Sequence, residues 1–136
     1  MTSRYEDSQR LLWGIKEGCF FLTLLSIAEE ERQRLEITPY KIDLIEAVRE
    51  CKNRGWIKAD FYILNDCAIL SYYTGEKCTR RKSPTIGKLF DNEYSLEKWT
   101  RGENTHFRRR YFDVYNNSAT VSQGTRECYY IYRFEK

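Results

Sequence analysis

The longest apolar stretch of the chain, residues 19–28, directly follows Gly18 and constrains the fold more than any other feature. It is apolar on every side of a helix before charged residues begin at Glu29, which is typical of a helix inside a protein core. The stretch is too short to span a bilayer, which needs about 20 apolar residues. We therefore predict a central, buried helix from Cys19 to about Leu35.

The residue that begins this helix is a cysteine. Unpaired backbone N–H groups and the helix dipole favour a thiolate at a helix N-terminus. The only histidine of the chain, His106, lies far away in the sequence and could supply a base from another element. Alternatively, Cys19 is a small core residue, because free cysteine is among the most buried residue types. Position alone leaves both interpretations open.

Length and composition predict one folded domain over residues 1–136, with 41% hydrophobic and 15% aromatic residues. The net charge of +3, from 23 basic and 20 acidic residues, is too balanced to demand a nucleic-acid partner. Two basic runs, residues 80–82 and 108–110, are more typical of solvated turns or edge strands than of a phosphate site.

The five cysteines are irregularly spaced, form no CxxC pair and are accompanied by one histidine. We therefore expect no structural zinc and no other cofactor. The N-terminus lacks the pattern of a signal peptide, so we expect a cytoplasmic protein with reduced thiols and no membrane partner. Of the remaining cysteines, we expect Cys51 in the core, Cys67 in a structural role and Cys78 at the surface, whereas Cys128 could face either side of a strand.

The pattern of helix and strand signals predicts an α+β fold. A second helix is expected with Thr38 as N-cap and Pro39 at its first position, ending before Gly55. Its expected apolar face comprises Ile42, Ile45, Val48 and Cys51.

A third helix is expected to begin at Asn65 or Asp66 and to end at Gly75. Strands are expected at residues 94–99, 106–108, 111–114 and 128–134. Because helices precede strands, we expect N-terminal helices packed on a C-terminal antiparallel sheet.

A hairpin centred on Arg109 and Arg110 would place His106 directly opposite Asp113. Opposed residues on one face of an antiparallel pair have Cβ atoms about 4.5–5.5 Å apart, which suits a carboxylate that orients an imidazole. Asn116 is a second candidate for this role, ranked lower because it carries no charge to stabilise an imidazolium. The alternative is a cross-strand charge pair without chemistry.

Four short motifs occur in a characteristic order: GCFF at 18–21, NRGWI at 53–57, THF at 105–107 and FDVYN at 112–116. The chain thereby resembles a group of small papain-like proteins of bacteria and phages, similar to double-glycine-leader peptidases and NlpC-type hydrolases. The resemblance implies a papain-like fold with Cys19 as nucleophile, His106 as base and Asp113 as orienting group. It implies a peptide or protein substrate.

One departure from this pattern supports an alternative function. Papain-like peptidases usually carry a glutamine about six residues before the cysteine as an oxyanion donor, and here Trp13 occupies that place, with Gln9 further away. The alternative is a catalytically inactive papain-like scaffold that binds a protein partner, for example a phage inhibitor of a host defence system. A nucleic-acid-binding module that uses the arginines and tyrosines ranks last.

Overall fold

The computed structural model describes residues 18–109, 121 and 123–136. Within these residues the chain forms three helices and four strands, in an α+β arrangement with the helices preceding the sheet. The fold class predicted from the sequence is therefore confirmed. The helices are α1 (Gly18–Arg34), α2 (Leu44–Asn53) and α3 (Asp66–Thr74), and the strands are β1 (Lys77–Ser83), β2 (Glu93–Arg101), β3 (Asn104–Arg108) and β4 (Thr125–Glu135).

Helix α1 is the central element, as predicted. Its first twelve residues, 18–29, are all buried, and Glu31 is buried as well. The aromatic ring of Phe20 packs against Tyr130 of the sheet, and Phe21 packs against Phe61 in the loop before α3. The apolar run thus contacts partners on several sides, which explains its lack of a polar face.

Helix α2 begins later than the sequence indicated. Asp43, rather than Thr38, is its N-cap, and the Asp43 carboxylate accepts a hydrogen bond of 2.9 Å from the backbone N–H of Glu46. The predicted apolar face is also wrong at Ile45, which is 61% exposed. The buried residues of α2 are Leu44, Ala47 and Cys51.

Helix α3 begins and ends as predicted. The Asn65 side chain accepts a hydrogen bond of 3.0 Å from Ala68 N–H, which caps the first turn. Gly75 ends the helix with φ of 74°, a left-handed conformation that favours glycine, and its N–H donates to the Ser71 carbonyl.

The described strands form an antiparallel sheet in the order β1-β4-β2-β3. Strand β1 was not predicted, because its sequence KCTRRKS has no apolar alternation. It is an edge strand of this sheet, so the basic run at residues 80–82 lies on an edge, as expected.

Two expectations about cysteines have clear outcomes. Cys51 is fully buried in α2, as predicted. Cys78 is 9% exposed, so its predicted surface position is wrong. Among residues 77–83, Cys78 alone is buried, and it pairs with the buried Phe134 of β4.

Within the described part of the chain, none of the helices combines the length and the apolar character needed to cross a membrane.

Candidate active site

Cys19 lies in the first turn of α1, where the sequence analysis placed a nucleophile. It is 2% exposed. The Thr23 hydroxyl, one turn later, donates a hydrogen bond of 2.7 Å to the Cys19 carbonyl. Backbone N–H groups at the start of an α-helix have no partner within the helix and favour a negative charge nearby. The location is the one that the sequence analysis expects for a nucleophile, and the burial of Cys19 limits access to its thiol.

Strand β3 packs along the same part of α1. The rings of Phe20 and Phe107 are stacked, with centroids 4.0 Å apart and planes inclined by 13°. The Thr23 hydroxyl also reaches the Phe107 carbonyl at 3.4 Å. Two residues further along the strand, Arg109 forms an ion pair with Glu30, nearer the C-terminal end of α1. Strand β3 therefore runs in the same direction as α1, and residues before Phe107 lie toward the end that carries Cys19.

His106 is the residue immediately before Phe107, and it is 4% exposed. It pairs with Trp99 of β2 in the register of the sheet. Successive side chains in a strand point to opposite faces. Because Phe107 faces α1, this alternation assigns His106 to the opposite face, together with Trp99 and Arg108.

The face of the sheet that carries His106 is polar but buried in part. The Glu97 carboxylate, 8% exposed, accepts hydrogen bonds of 2.8 Å from Trp99 Nε1 and from Arg108 Nε. The Arg108 guanidinium also lies over the Trp99 ring at 5.2 Å. This network holds the strand pair around His106 in a fixed register.

The structure thus brings the strand of His106 against the helix of Cys19, while strand alternation directs the imidazole away from that helix. Asp113, the strand at 111–114 and the oxyanion candidates Trp13 and Gln9 lie outside the described residues. The triad Cys19–His106–Asp113 stays a prediction.

Sequence reasoning missed a polar cluster at the other end of α1. Glu31, fully buried, accepts two hydrogen bonds from the Arg34 guanidinium, at 2.6 and 2.7 Å, and one from the Tyr94 hydroxyl at 3.0 Å. Glu76, 8% exposed, lies beside this cluster, with its Oε1 atom 4.0 Å from Arg34 Nη2, and it interacts with the Glu31 carboxyl group. No signal in the sequence joins these residues, because they come from α1, β2 and the segment before β1.

The two carboxyl groups have different proton affinities. Burial alone would raise the pKa of Glu31, but hydrogen bonds from Arg34, Glu76 and Tyr94 outweigh it and lower that pKa. The hydrogen bond with Glu31, followed by burial, raises the pKa of Glu76 to about 7. A proton held on Glu76 avoids two adjacent charges in a poorly solvated site.

An open cleft of about 410 Å³ lies beside this pair. Cys19 is roughly 22 Å from the Arg34 end of α1, at 1.5 Å per helical residue. The cleft therefore does not serve Cys19. It is lined by Arg34, Glu76, Asp91, Asn92, Phe134, Glu135 and Lys136.

Comparison with protein-family models, with curated proteins and with solved structures finds no significant match to this chain. Its function is therefore inferred from the geometry described above and from the resemblance in sequence motifs.

Proposed function

We propose that the chain is a papain-like cysteine hydrolase that acts on an amide or related acyl group of a peptide or protein. The observation that carries this proposal is the packing of β3 along the first half of α1. The stacked rings of Phe20 and Phe107 bring the strand of His106 to the helix that begins with Cys19. The same two elements hold the nucleophile and base of the papain-like proteins that the motifs resemble.

In the proposed reaction, the Cys19 thiolate attacks the acyl carbon and forms a tetrahedral intermediate. The backbone N–H of Cys19 donates to the developing oxyanion. The His106 imidazolium protonates the leaving amine, a thioester remains on Cys19, and water activated by the imidazole hydrolyses it. Asp113 orients the imidazole. This mechanism requires a local change in the backbone of β3 that turns the imidazole of His106 to the α1 side.

We also place this reaction in the cytoplasm. All five cysteines lie within the described residues and are free thiols, which fits a reducing compartment.

The proposal predicts a reactive Cys19 that depends on His106. Iodoacetamide alkylation would be followed against pH by peptide mass spectrometry, since trypsin separates the cysteines into different peptides, with Cys19 in residues 17–32 and Cys51 in 50–52. We expect His106→Ala to slow the alkylation of Cys19 about tenfold or more at pH 6.

Thr105→Ala, on the same strand, is the matched control and should leave the rate unchanged. Buried Cys51 is an internal reference for loss of structure. Equal Cys19 rates in the native chain and in His106→Ala would contradict the hydrolase proposal.

A second candidate is a catalytically inactive scaffold that binds a protein partner. The burial of Cys19 and the assignment of His106 to the opposite sheet face favour it. The same experiment distinguishes the two candidates. A scaffold predicts that Cys19 resists alkylation in the native chain, becomes reactive only in urea, and responds to neither variant.

A further inference from the structure

Two cysteine side chains meet where the start of α3 packs on β1. Cys67 is the second residue of α3 and is half-buried, whereas Cys78 is the second residue of β1 and is 9% exposed. The two side chains interact, since each changes the pKa of the other, and the Cys78 thiol donates to the Thr79 carbonyl oxygen at 4.0 Å. These are two neighbouring thiols of one chain, one partly exposed and one shielded.

The contact between the thiols is held in place by their neighbour Asp66. The Asp66 carboxylate accepts a hydrogen bond of 2.8 Å from Arg80 Nη1 on β1 and one of 2.7 Å from the Tyr132 hydroxyl on β4. The same side chain accepts from the backbone N–H of Cys67 at 2.8 Å. The first turn of α3 is therefore fixed to both strands, and the two sulfurs stay adjacent.

The two thiols differ in reactivity. Interaction with the Cys78 thiol lowers the pKa of Cys67 and outweighs the effect of burial, and the Arg80 guanidinium adds to the lowering. The same interaction, then burial, raises the pKa of Cys78. Because the thiolate is the nucleophile in thiol–disulfide exchange, Cys67 is the attacking group and Cys78 the group that resolves the mixed disulfide.

We propose that Cys67 and Cys78 form a redox-active pair that is oxidised to an intramolecular disulfide by a low-molecular-weight disulfide such as oxidised glutathione. The Cys67 thiolate attacks one sulfur of the oxidant, forms a mixed disulfide and releases one thiolate. Cys78 gives up its proton and attacks the Cys67 sulfur, which releases the second thiolate. Two protein thiols are oxidised and one disulfide is reduced to two thiols. The site is independent of the proposed hydrolase function of Cys19.

The other cysteines lack these features. Burial raises the pKa of Cys51 to about 11, and Cys51 is fully buried. Cys128 lies on β4 six residues before Phe134, the β4 partner of Cys78, which places it roughly 20 Å from Cys78 at 3.4 Å per residue. Cys128 therefore serves as a partly exposed reference thiol that lies out of bonding reach of Cys78.

The test treats the native full-length chain with buffers of reduced and oxidised glutathione, followed by acid quenching, iodoacetamide and trypsin. Trypsin cleaves after Lys77, so Cys67 falls in residues 59–77 and Cys78 in residues 78–80. We expect these two peptides to be recovered joined by a disulfide, and dithiothreitol to separate them. In the reduced protein we expect Cys67 to be alkylated about tenfold faster than Cys128 at pH 7.

The variants are chosen to separate the steps. Cys78→Ser should stop the reaction at a stable glutathione adduct on Cys67, and Cys67→Ser should prevent oxidation of Cys78. Cys128→Ser, the matched control, should leave the bridge unchanged. The proposal is overturned if native wild-type protein accumulates a glutathione adduct on Cys67 without the bridge, or if Cys67 and Cys78 stay reduced in buffers that oxidise Cys128. Because this outcome is read on wild-type protein, it does not depend on how the variants fold.

Discussion

Glu31 and Glu76 form a site in which the pKa of one carboxyl group is lowered and the pKa of the other is raised to about 7. Arg34 and Tyr94 together supply three hydrogen bonds to the charged Glu31, and interaction with Glu76 lowers the pKa of Glu31 further. An arginine beside a single buried carboxylate gives a neutral cluster. Ionisation of Glu76 would add an uncompensated charge to a poorly solvated site, which is unfavourable.

This arrangement predicts a stability that falls as the pH rises. The pKa of Glu76 is about 7 in the folded chain and about 4.5 in the unfolded chain. Between these values the folded state binds more protons, so unfolding becomes easier as the pH increases, and above pH 7 the loss is complete. We expect the free energy of unfolding to fall by roughly 1–3 kcal/mol over this range because of Glu76.

Glu76→Gln should remove most of this dependence, because the amide keeps a donor for Glu31 and cannot ionise. Urea unfolding at pH 4.5, 6 and 8 measures the difference between variant and wild type. Glu135→Gln, an exposed carboxylate near the same cleft, should follow the wild type. If the unfolding free energy of the wild type relative to that of Glu76→Gln increased from pH 4.5 to 8, this account would be refuted.

At the level of secondary-structure elements, the sequence predicted those helix ends that depend on capping residues close by in the sequence. The cap residues Asn65 and Gly75 predicted both ends of α3, since each acts through its own backbone geometry. Strand β1 gave no such signal. Its residues are held by pairing with β4. Because the strand buries only the side chain of Cys78, its sequence shows no alternation of apolar and polar residues.

The start of α2 provides a direct test of a capping interaction. Asp43→Ala removes the hydrogen bond to Glu46 N–H and should destabilise the fold by about 1 kcal/mol. Thr38→Ala, at the cap position expected from sequence, should change the stability by less than about 0.5 kcal/mol. Chemical denaturation of both variants shows which residue caps α2. A larger loss of unfolding free energy for Thr38→Ala than for Asp43→Ala would contradict the observed start of α2.

At the scale of the whole molecule, the prediction from sequence was weakest where distant segments meet. The pairing of Cys67 with Cys78 and the contact of Glu31 with Glu76 depend on how α1, α3 and the sheet are assembled, and the sheet order β1-β4-β2-β3 has no local signal. The same difference between local and long-range signals applies to the candidate active site. Its helix was predicted from an apolar run, whereas the face assigned to His106 follows from the register of β3 against β2.

Arg32 connects three segments of the molecule and gives a prediction at this scale. Its guanidinium on α1 donates to the Tyr73 carbonyl near the end of α3 at 2.7 Å, to the Tyr40 carbonyl at 3.1 Å, and to the Pro39 carbonyl. Lysine cannot reproduce this planar set of donors. We expect Arg32→Lys to lose about 2 kcal/mol of unfolding free energy.

The exposed Arg49→Lys on α2 is the matched control for Arg32→Lys, and thermal or urea unfolding measures both variants. A loss for Arg32→Lys that is no greater than that for Arg49→Lys would mean that the three carbonyl contacts contribute nothing to the stability.

The position of β4 inside the sheet has a consequence for biosynthesis. Strands β1 and β2 do not pair with each other, and both pair with β4, which follows them in the sequence. As the ribosome releases the chain from its N-terminal side, β2 can pair with β3 as soon as residues 104–108 emerge, but β1 has no strand partner and β2 keeps one free edge until residues 125–135 leave the exit tunnel. Between the synthesis of β1 and that of β4 the nascent chain therefore exposes the unpaired strand β1 and the free edge of β2, and it is during this interval that chaperones would be needed.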